Sequence, residues 1–411
     1  MNEPAPSTRR PAALAFIFMT LVLDVLALGV IIPVLPDLVK AFLHGDTAQA
    51  ARLTGVFGTV WALAQFIFSP LLGVMSDRFG RRPVILVSCL GLGLDYFFMA
   101  MAPTLAWLFV GRVISGITAA SFAAAGAYIA DVTPPEKRAA SYGMMGAAWG
   151  VGFIVGPALG GWLGEYSLRL PFWVAGGLSL LNTLYGLFVL PESLPAERRA
   201  AFSWKKANPV GSLILLRSHP RLLGLATVLF LYHLAHHVLP SVFVLYAGYR
   251  YGWTQKIMGS LLATVGVCGV VVQAGLVRRI VARIGERAAL LTGLVFGAAG
   301  FAVYGMAPTG ALFWIGVPVF ALIGLYGPSS QAIMTRLVGP SQQGQLQGAN
   351  SCVMGITGMV GPILFTTTFA EFIRPDRSWN LPGAPFLLAG GLMVLAVFLA
   401  AGVTRAPEPA H

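Results

Sequence analysis

The chain has 411 residues, of which 57% are hydrophobic and only 10% are charged. A soluble domain carries about 25% charged residues, so the composition excludes an ordinary soluble protein and predicts a chain that lies mostly in a bilayer. The net charge of +12 does not indicate nucleic-acid binding, because the basic residues lie in short loops between apolar runs rather than on one soluble face.

Apolar stretches long enough to cross about 30 Å of hydrocarbon recur along the whole chain. In order they cover 12–36, 53–75, 83–102, 105–131, 139–164, 169–190, 222–247, 256–280, 288–307, 311–335, 346–371 and 383–404. A polar gap separates the sixth stretch from the seventh. The sequence therefore predicts an all-α membrane protein of twelve transmembrane helices, with six-helix bundles at 1–191 and 221–411 and a cytoplasmic linker at 192–220.

The distribution of lysine and arginine predicts the orientation. If both termini are cytoplasmic, nineteen of the 27 basic residues lie on the cytoplasmic side, seven lie in outside loops, and Arg112 alone lies inside a span. Cytoplasmic loops of membrane proteins carry such an excess of positive charge. We therefore expect a multi-pass membrane protein with both termini in the cytoplasm.

The two halves repeat each other at a spacing of 205 residues. This shift places Arg78-Phe79-Gly80 on Arg283-Ile284-Gly285 and Gly156-Pro157 on Gly361-Pro362. Parallel repeats of this kind enclose a central site near the middle of the bilayer. One element of the repeat is lost, because Asp77 falls on Ala282.

A polar loop joins the second and third spans. Its charges and glycines cannot lie in hydrocarbon, so it must be a tight cytoplasmic turn held at the membrane surface by its arginines. Any short cytoplasmic loop is basic, but the order G-x-x-x-D-R-x-G-R-R is more specific than that. The residues that carry this order are Gly73, Asp77, Arg78, Gly80, Arg81 and Arg82.

Three ionisable residues lie well inside spans: Asp24 in the first, Asp95 in the third and Arg112 in the fourth. Buried ionisable groups are costly in a membrane and therefore indicate function. A desolvated carboxyl that can bind a proton suits proton coupling, and a nearby arginine would make its protonation depend on their separation. The alternatives are structural hydrogen-bonded aspartates and an Arg112 that reaches the outer interface.

The fifth span contains a glycine-rich motif, G-x-x-x-G-P-x-x-G-G. Glycines at four-residue spacing form a flat groove against which another helix can pack, and proline bends the helix. Simple close packing is the alternative to a functional role. The motif consists of Gly152, Gly156, Pro157, Gly160 and Gly161.

The seventh span carries His233, His236 and His237, at a spacing that places them on one helical face. Such residues suit a polar wall of a substrate cavity, a proton path, a metal site or helix–helix hydrogen bonds. No acidic or cysteine partner lies near them in sequence, so we predict no metal site. Gln65 and Gln273 are further polar residues inside spans that could bind a substrate.

These motifs together resemble the major facilitator superfamily, and within it the tetracycline-exporter branch of twelve-span drug–proton antiporters. The resemblance extends to residues 23–36, 76–83, 94–96, 111–118, 342–348 and 361–365. It implies export of an amphipathic drug against uptake of protons across a bacterial-type cytoplasmic membrane, by alternating access. The glycine motif resembles the one that marks antiporters, and Asp131 would join Asp77 and the loop arginines in a gate network, unless it is an isolated helix-end carboxylate.

The resemblance fails at one position. Tetracycline exporters carry a further buried acid in the ninth span, where this chain has Gly297. A cationic metal–tetracycline chelate would meet one counter-charge fewer, which disfavours tetracycline itself. The resemblance otherwise implies no cofactor beyond the proton gradient, small molecules and protons as partners, and a monomer in the lipid bilayer.

The sequence leaves three alternatives to drug export to be considered. An exporter of a metabolite or a lipid-like solute would have the same fold and the same glycine motif. A non-transporting membrane receptor is disfavoured by the intramembrane aspartates. An enzyme is disfavoured because the sequence offers no nucleophile–base pair and no set of metal ligands.

Overall fold

Every regular element of the described chain is a helix. The computed structural model describes residues 9–119, 121–133, 138–200, 208, 210–339, 342–376 and 380–405. The terminal residues 1–8 and 406–411 lie outside these ranges. So do four of the basic residues counted for the predicted orientation: Lys137, Lys205, Lys206 and Arg377.

The helices of the first half are bounded as follows: α1 (Arg9–Ile31), α2 (Leu35–Phe42), α3 (Thr47–Phe79), α4 (Arg81–Ala100), α5 (Leu105–Thr118), α6 (Ser121–Val132), α7 (Arg138–Tyr166) and α8 (Leu170–Val189). Those of the second half are α9 (Pro220–His236), α10 (Val238–Tyr251), α11 (Gln255–Val270), α12 (Val277–Met306), α13 (Gly310–Ala321), α14 (Tyr326–Arg336), α15 (Gln343–Phe372) and α16 (Ala384–Val403).

These helices account for the twelve predicted spans. Ten helical segments of the described chain are long and apolar enough to cross a membrane. One of them, Gln255–Met306, has 52 residues and contains two spans, because Gly285 interrupts the helix with a φ of 78°. The shorter α5 and the following α6 supply the remaining span.

Four predicted spans are each built from two helices: the first (α1, α2), the fourth (α5, α6), the seventh (α9, α10) and the tenth (α13, α14). In the first of these, Pro33 and Pro36 lie at the break and lack the N–H group that a continuous helix needs. Broken helices at membrane depth are tolerated where they are buried in protein or line a cavity. The four broken spans are therefore the best candidates to surround a central site.

The glycine motif of the fifth span packs α7 against two neighbours. A Cβ at Gly156 would lie 2.7 Å from the Gly29 Cα of α1, and a Cβ at Gly160 would overlap the Val30 carbonyl. On another side of α7, a Cβ at Gly161 would lie 2.9 Å from the Gly259 Cα of α11. Glycines on α7 thus bring it into backbone contact with a helix of each half.

A second contact between the halves joins α3 to α15. The Thr59 hydroxyl donates a hydrogen bond to the Met359 carbonyl at 2.7 Å. A Cβ at Gly58 would lie 3.0 Å from Pro362, and one at Gly355 would overlap the Phe66 ring. Small residues again let two helices from different halves approach closely.

The segment between α8 and α9 contains two short 3-10 helices, Ala196–Arg198 and Gly211–Arg217. Residues 201–207 and 209, which carry part of its predicted charge, lie outside the described residues. The division of the chain at 192–220 stays a prediction. Below, "first half" and "second half" mean the residues before and after this segment.

We expect Gly160→Val to destabilise the protein, because the added side chain must displace the α1 backbone. Overpacking of this kind typically costs about 1–3 kcal/mol. The matched control is Gly146→Val on the same helix, where a Cβ would meet nothing within 4 Å. Thermal unfolding of both variants in detergent checks the prediction, and equal midpoints would contradict it.

Candidate functional site

Asp24 lies in a buried polar cluster between α1, α4 and α8. Its side chain is only 6% exposed, and the Cys89 thiol approaches its Oδ1 at 3.9 Å. The Asn182 amide nitrogen donates to the Thr20 carbonyl at 3.0 Å and approaches the Cys89 sulfur at 3.6 Å. The carboxyl therefore sits among neutral polar groups contributed by three helices.

Asp95 and Arg112 face each other across the α4–α5 contact, and both are buried, at 2% and 9% exposure. They interact electrostatically, yet they form no ion pair within 4 Å in the described chain. Neither Asp95 oxygen has a hydrogen-bond partner among the described residues, and the same holds for the Arg112 Nε. This is a separated pair of buried charges, and such an arrangement lowers the stability of the protein. Costly buried charges within a membrane protein indicate a functional role.

Two neighbours shape this pair. Gly111 admits the carboxyl, because a Cβ there would lie 3.1 Å from the Asp95 Oδ1. The Arg112 guanidinium lies over the Trp61 ring of α3, 5.4 Å from its centroid, and a cation in this position is attracted by the aromatic face. The partner that the sequence left open for Arg112 is thus Asp95, with Trp61 as a contact that the sequence did not indicate.

Tyr96 connects the two carboxyls. It is 2% exposed and close enough to Asp24, Asp95 and Arg112 for electrostatic interaction with all three. The structure therefore places the three intramembrane ionisable residues in one polar layer of the first half. The corresponding positions of the second half are Leu229, Gly300 and Val317, so this layer has no charged counterpart there.

The loop motif forms a charge network at one end of the bundle, centred on Arg81, whose side chain is only 10% exposed. Arg81 pairs with the Asp77 carboxylate at 2.5 Å and with Asp131 at 3.1 Å, and donates to the Ser76 hydroxyl at 2.7 Å. Asp131 also accepts a hydrogen bond from Ser193 at 3.1 Å. Asp131 is therefore not an isolated helix-end carboxylate.

We call the end of the bundle that carries the turns at Gly80 and Gly285 the arginine-rich face.

Glu192 is a member of this network that sequence reasoning missed. Its carboxylate accepts hydrogen bonds from the backbone N–H groups of Arg81 at 2.9 Å and Arg82 at 3.3 Å, and so caps the start of α4. Gly80 makes this possible, since its φ is 105° and any side chain there would collide with Glu192. Its position just after the sixth span, at the same membrane face as the loop motif, was the sequence feature that could have indicated this role.

Hydrogen bonds and ion pairs join the two halves toward the other end of the bundle, which we call the opposite face. Arg52 of α3 forms an ion pair with Glu371 of α15. The Gln255 amide donates to the Asp37 carboxylate at 2.8 Å. These contacts hold the halves together at the opposite face.

The three histidines interact electrostatically with one another, near the point where the helix ends at His236 and restarts at Val238. His236 stacks between Tyr232 and Phe320, with ring centroids 5.7 Å away on each side, and its Nδ1 has no hydrogen-bond partner in the described chain. His237 instead packs against Gly361 of α15. No group of three His, Cys, Asp or Glu side chains in the described ranges could hold a metal ion.

The two glutamines lie outside the helices that carry the buried aspartates. Gln65 is half-buried on α3, and Gln273 lies exposed in a π-helical segment, Val271–Leu276, that continues α11. The Gln273 amide donates to the Gly324 carbonyl at 3.4 Å, which links the eighth span to the break in the tenth. Single-turn π segments are frequent at functional sites. The substrate-binding role of both residues stays a prediction.

Gly297, the position of the missing acid, is filled from a neighbouring helix. A Cβ there would lie 2.8 Å from the Ile323 Cδ1. A carboxylate would not fit without rearrangement of Ile323, so the local packing of this chain is consistent with the loss of that charge.

Known proteins resemble this chain over most of its length. Residues 17–362 match the family described as Major Facilitator Superfamily. The chain belongs to this superfamily. Tetracycline resistance protein, class C, of Escherichia coli is 38% identical over 388 residues, which cover 94% of this chain and 95% of that protein. The class E protein of Escherichia coli is 35% identical over 388 residues, covering 94% of this chain and 93% of the relative.

A solved structure supports the same fold. The human organic anion transporter MFSD10 (TETRAN) aligns with a TM-score of 0.71 at 23% identity, covering 97% of this chain and 100% of that chain. The predicted fold and the predicted resemblance to the tetracycline-exporter branch of the superfamily are thus confirmed. The chain is a multi-pass membrane transporter of a small molecule.

We expect Asp95→Asn to destabilise the protein, because it leaves the buried Arg112 guanidinium without a compensating charge. Removing one partner of a buried charge pair costs about 3 kcal/mol. Adding Arg112→Gln should recover most of the loss, since no unpaired charge then remains. A double-mutant cycle on thermal unfolding measures the coupling, and additive effects would contradict it.

Arg81 should matter for stability and Arg78 should not. Arg81→Gln removes contacts to two carboxylates, which we expect to cost about 2 kcal/mol after allowing for the partial exposure of both partners. Arg78→Gln on the same turn removes only an exposed contact with the Phe79 ring. If thermal unfolding midpoints fall equally for both variants, the network does not depend on Arg81.

Proposed function

We propose that this chain exports amphipathic small molecules in exchange for protons, as a monomer with both termini and the arginine-rich face in the cytoplasm. The observation that carries the proposal is the buried Asp95 carboxyl, which has no hydrogen-bond partner in the described chain and faces Arg112 without an ion pair. A stable structural aspartate would be hydrogen-bonded. A carboxyl that must gain and lose a proton cannot be fixed by hydrogen bonds that favour only one protonation state.

Asp95 and Arg112 provide the coupling in this mechanism. When Asp95 is ionised, the two charges offset each other in a medium of low dielectric constant. When Asp95 binds a proton, Arg112 becomes an uncompensated cation beside Trp61. That imbalance favours a conformation in which the guanidinium meets water or an anionic partner, so protonation and conformation are linked.

Asp24 is the second proton-coupling residue. Its neighbours Cys89 and Asn182 are neutral, so a proton on Asp24 changes the net charge of this cluster directly. Tyr96 interacts electrostatically with both carboxyls and so marks their common surroundings. The order of protonation is not assigned to either residue.

The packing supports alternating access by rocking of one half against the other. The bonds between halves, such as Arg52–Glu371 and Asp37–Gln255, lie at the opposite face, which faces outward in the proposed orientation. The glycine interfaces of α7 with α11 and of α3 with α15 present flat surfaces. Flat surfaces allow one half to rock against the other without extracting interlocked side chains.

The substrate class follows from the relatives and from the broken spans. The most similar relatives described above are named as tetracycline resistance proteins, which supports an amphipathic drug. The broken seventh and tenth spans contribute the stacked rings of Tyr232, His236 and Phe320. Such rings suit a planar aromatic molecule. Ile323 occupies the space beside Gly297 where the family has an acid, so this chain lacks one counter-charge for a metal chelate. We therefore propose tetracycline-like drugs as substrates without requiring that they bind as the metal chelate.

The test uses inside-out vesicles that contain the protein and hold a pH gradient, acid inside. Tetracycline and then a panel of cationic and neutral amphipathic drugs are added while luminal pH is followed. We expect at least one compound to cause proton efflux, and Asp24→Asn to reduce that efflux at least tenfold with normal expression, because an amide cannot carry the proton.

The matched control is Asp46→Asn. Asp46 caps the start of α3 by accepting a hydrogen bond from the Gln49 N–H at 2.9 Å, and asparagine is an equally good cap. This variant should transport as the wild type does. Unchanged proton coupling in Asp24→Asn would remove Asp24 from the mechanism, and no response of folded wild-type protein to any drug would overturn drug export.

A further inference from the structure

The second half contains a charge-reversed copy of the Arg81–Asp131 ion pair. The repeat spacing of 205 residues relates Arg81 to Glu286 and Asp131 to Arg336. The structure pairs these two as well, with the Arg336 guanidinium donating to the Glu286 carboxylate at 2.5 Å. The same two positions at the arginine-rich face thus carry an ion pair in each half, with the signs exchanged.

The two copies differ in a third residue. In the first half Asp77 occupies the space beside Arg81 and pairs with it. In the second half that position is Ala282, which offers neither volume nor charge. A shallow cavity of about 300 Å³, widely open to the surface, lies there instead, between the eighth-to-ninth-span turn and α14. Its lining is Val277, Arg278, Val281, Ala282, Glu286, Pro328, Ser329 and Ala332.

Two polar groups of this cavity have no partner. Ser329 is 1% exposed, and its hydroxyl forms no hydrogen bond with any described residue. Arg278 is exposed and forms no ion pair or hydrogen bond within the described ranges. The third polar group, the Glu286 carboxylate, is already neutralised by Arg336. The cavity therefore combines a free guanidinium and a buried free hydroxyl with an apolar remainder.

We infer that this cavity binds the headgroup region of an anionic phospholipid from the leaflet at the arginine-rich face. The exposed Arg278 guanidinium donates charge-assisted hydrogen bonds to a phosphate diester, and the buried Ser329 hydroxyl donates to it after a change of side-chain rotamer. The apolar side chains of Val277, Val281 and Ala332 then contact the glycerol and the first methylenes. Arg279, Arg283 and Arg287 lie on the same turn and raise the local positive potential, which favours anionic over zwitterionic lipid.

A cavity of similar size at the opposite face provides an internal comparison. It measures about 310 Å³ and contains Arg169, but that guanidinium already donates to the Ala100 carbonyl at 2.7 Å and the Ala102 carbonyl at 2.8 Å. It also lies over the Phe42 ring. Two of its donors are thus held by backbone carbonyls and its plane is packed on a ring, so we assign no anion to it.

The experiment measures lipid retention on the full-length protein purified in a mild detergent. The protein is incubated with equal amounts of phosphatidylglycerol and phosphatidylethanolamine, and bound lipid is counted by native mass spectrometry. We expect the wild type to prefer phosphatidylglycerol. Arg278→Gln should reduce its retention roughly tenfold, because a charge-assisted hydrogen bond is lost.

Two further variants separate the cavity from surface charge. Arg283→Gln removes an arginine of the same turn that does not line the cavity, and should change retention less than twofold. Ala282→Phe fills the cavity with no change in charge, and should reduce retention as Arg278→Gln does. Elution as a single monodisperse species shows that each variant is folded.

Three results would overturn the inference. Equal loss in Arg278→Gln and Arg283→Gln would mean diffuse attraction to the basic turn. Unchanged retention in Ala282→Phe would mean that lipid binds outside the cavity. Displacement of phosphatidylglycerol by millimolar inorganic phosphate would mean a simple anion site with no lipid specificity.

Discussion

The cost of keeping charge out of water organises the first half of this transporter. Asp95 and Arg112 are buried in the bundle, within electrostatic reach of each other but without a shared hydrogen bond. Two charges in this arrangement retain part of their attraction while paying most of their desolvation cost. A small change in their separation therefore changes the free energy of the protein substantially. In the proposed mechanism, this sensitivity couples a proton to a conformational change.

The helix interfaces connect the buried charges of the first half to the second half. Glycines on α7 bring its backbone against Gly29 of α1 and Gly259 of α11, one contact within the first half and one between halves. The same helix α1 carries Asp24. In the proposed mechanism, a shift of α7 relative to α11 is transmitted to the helix that holds Asp24, through closely packed backbone contacts. The proposal thus joins the glycine motif and the aspartates in one mechanism.

The arginine-rich face shows how a repeat can diverge without losing its geometry. Arg81 and Asp131 in the first half become Glu286 and Arg336 in the second, and an ion pair is formed in both. Coulomb attraction is unchanged when both signs are exchanged, so this reversal is tolerated. Loss of the third charge at Ala282 is not compensated in the same way, and it leaves a cavity.

The sequence was sufficient for the fold and for the ionisable residues of the site. Twelve apolar stretches, the repeat spacing and the isolated charges at Asp24, Asp95 and Arg112 each have a direct physical reading. Contacts between residues far apart in sequence were not accessible in this way. Glu192 caps α4 from over one hundred residues away, and Trp61 reaches Arg112 from another helix.

The exact positions of helix breaks, and the side-chain contacts around them, were not predictable from the sequence. The histidine spacing predicts one shared side of the helix, and the three histidines do interact electrostatically. The break at His237, the contact of His236 with Phe320 and that of His237 with Gly361 were not predictable from the spacing. Pro240 hints at the break but does not fix its place. Boundaries of this kind depend on tertiary packing as much as on the residues themselves.

The most direct test of the account is proton release on drug binding by the purified protein. A drug that the protein transports is added in a weakly buffered detergent solution that contains a pH indicator, and binding is measured in parallel. The account predicts that the wild type releases protons as it binds, and that a variant with both Asp24→Asn and Asp95→Asn binds without release. Equal proton release by both proteins would contradict the claim that these carboxyls couple transport to protons.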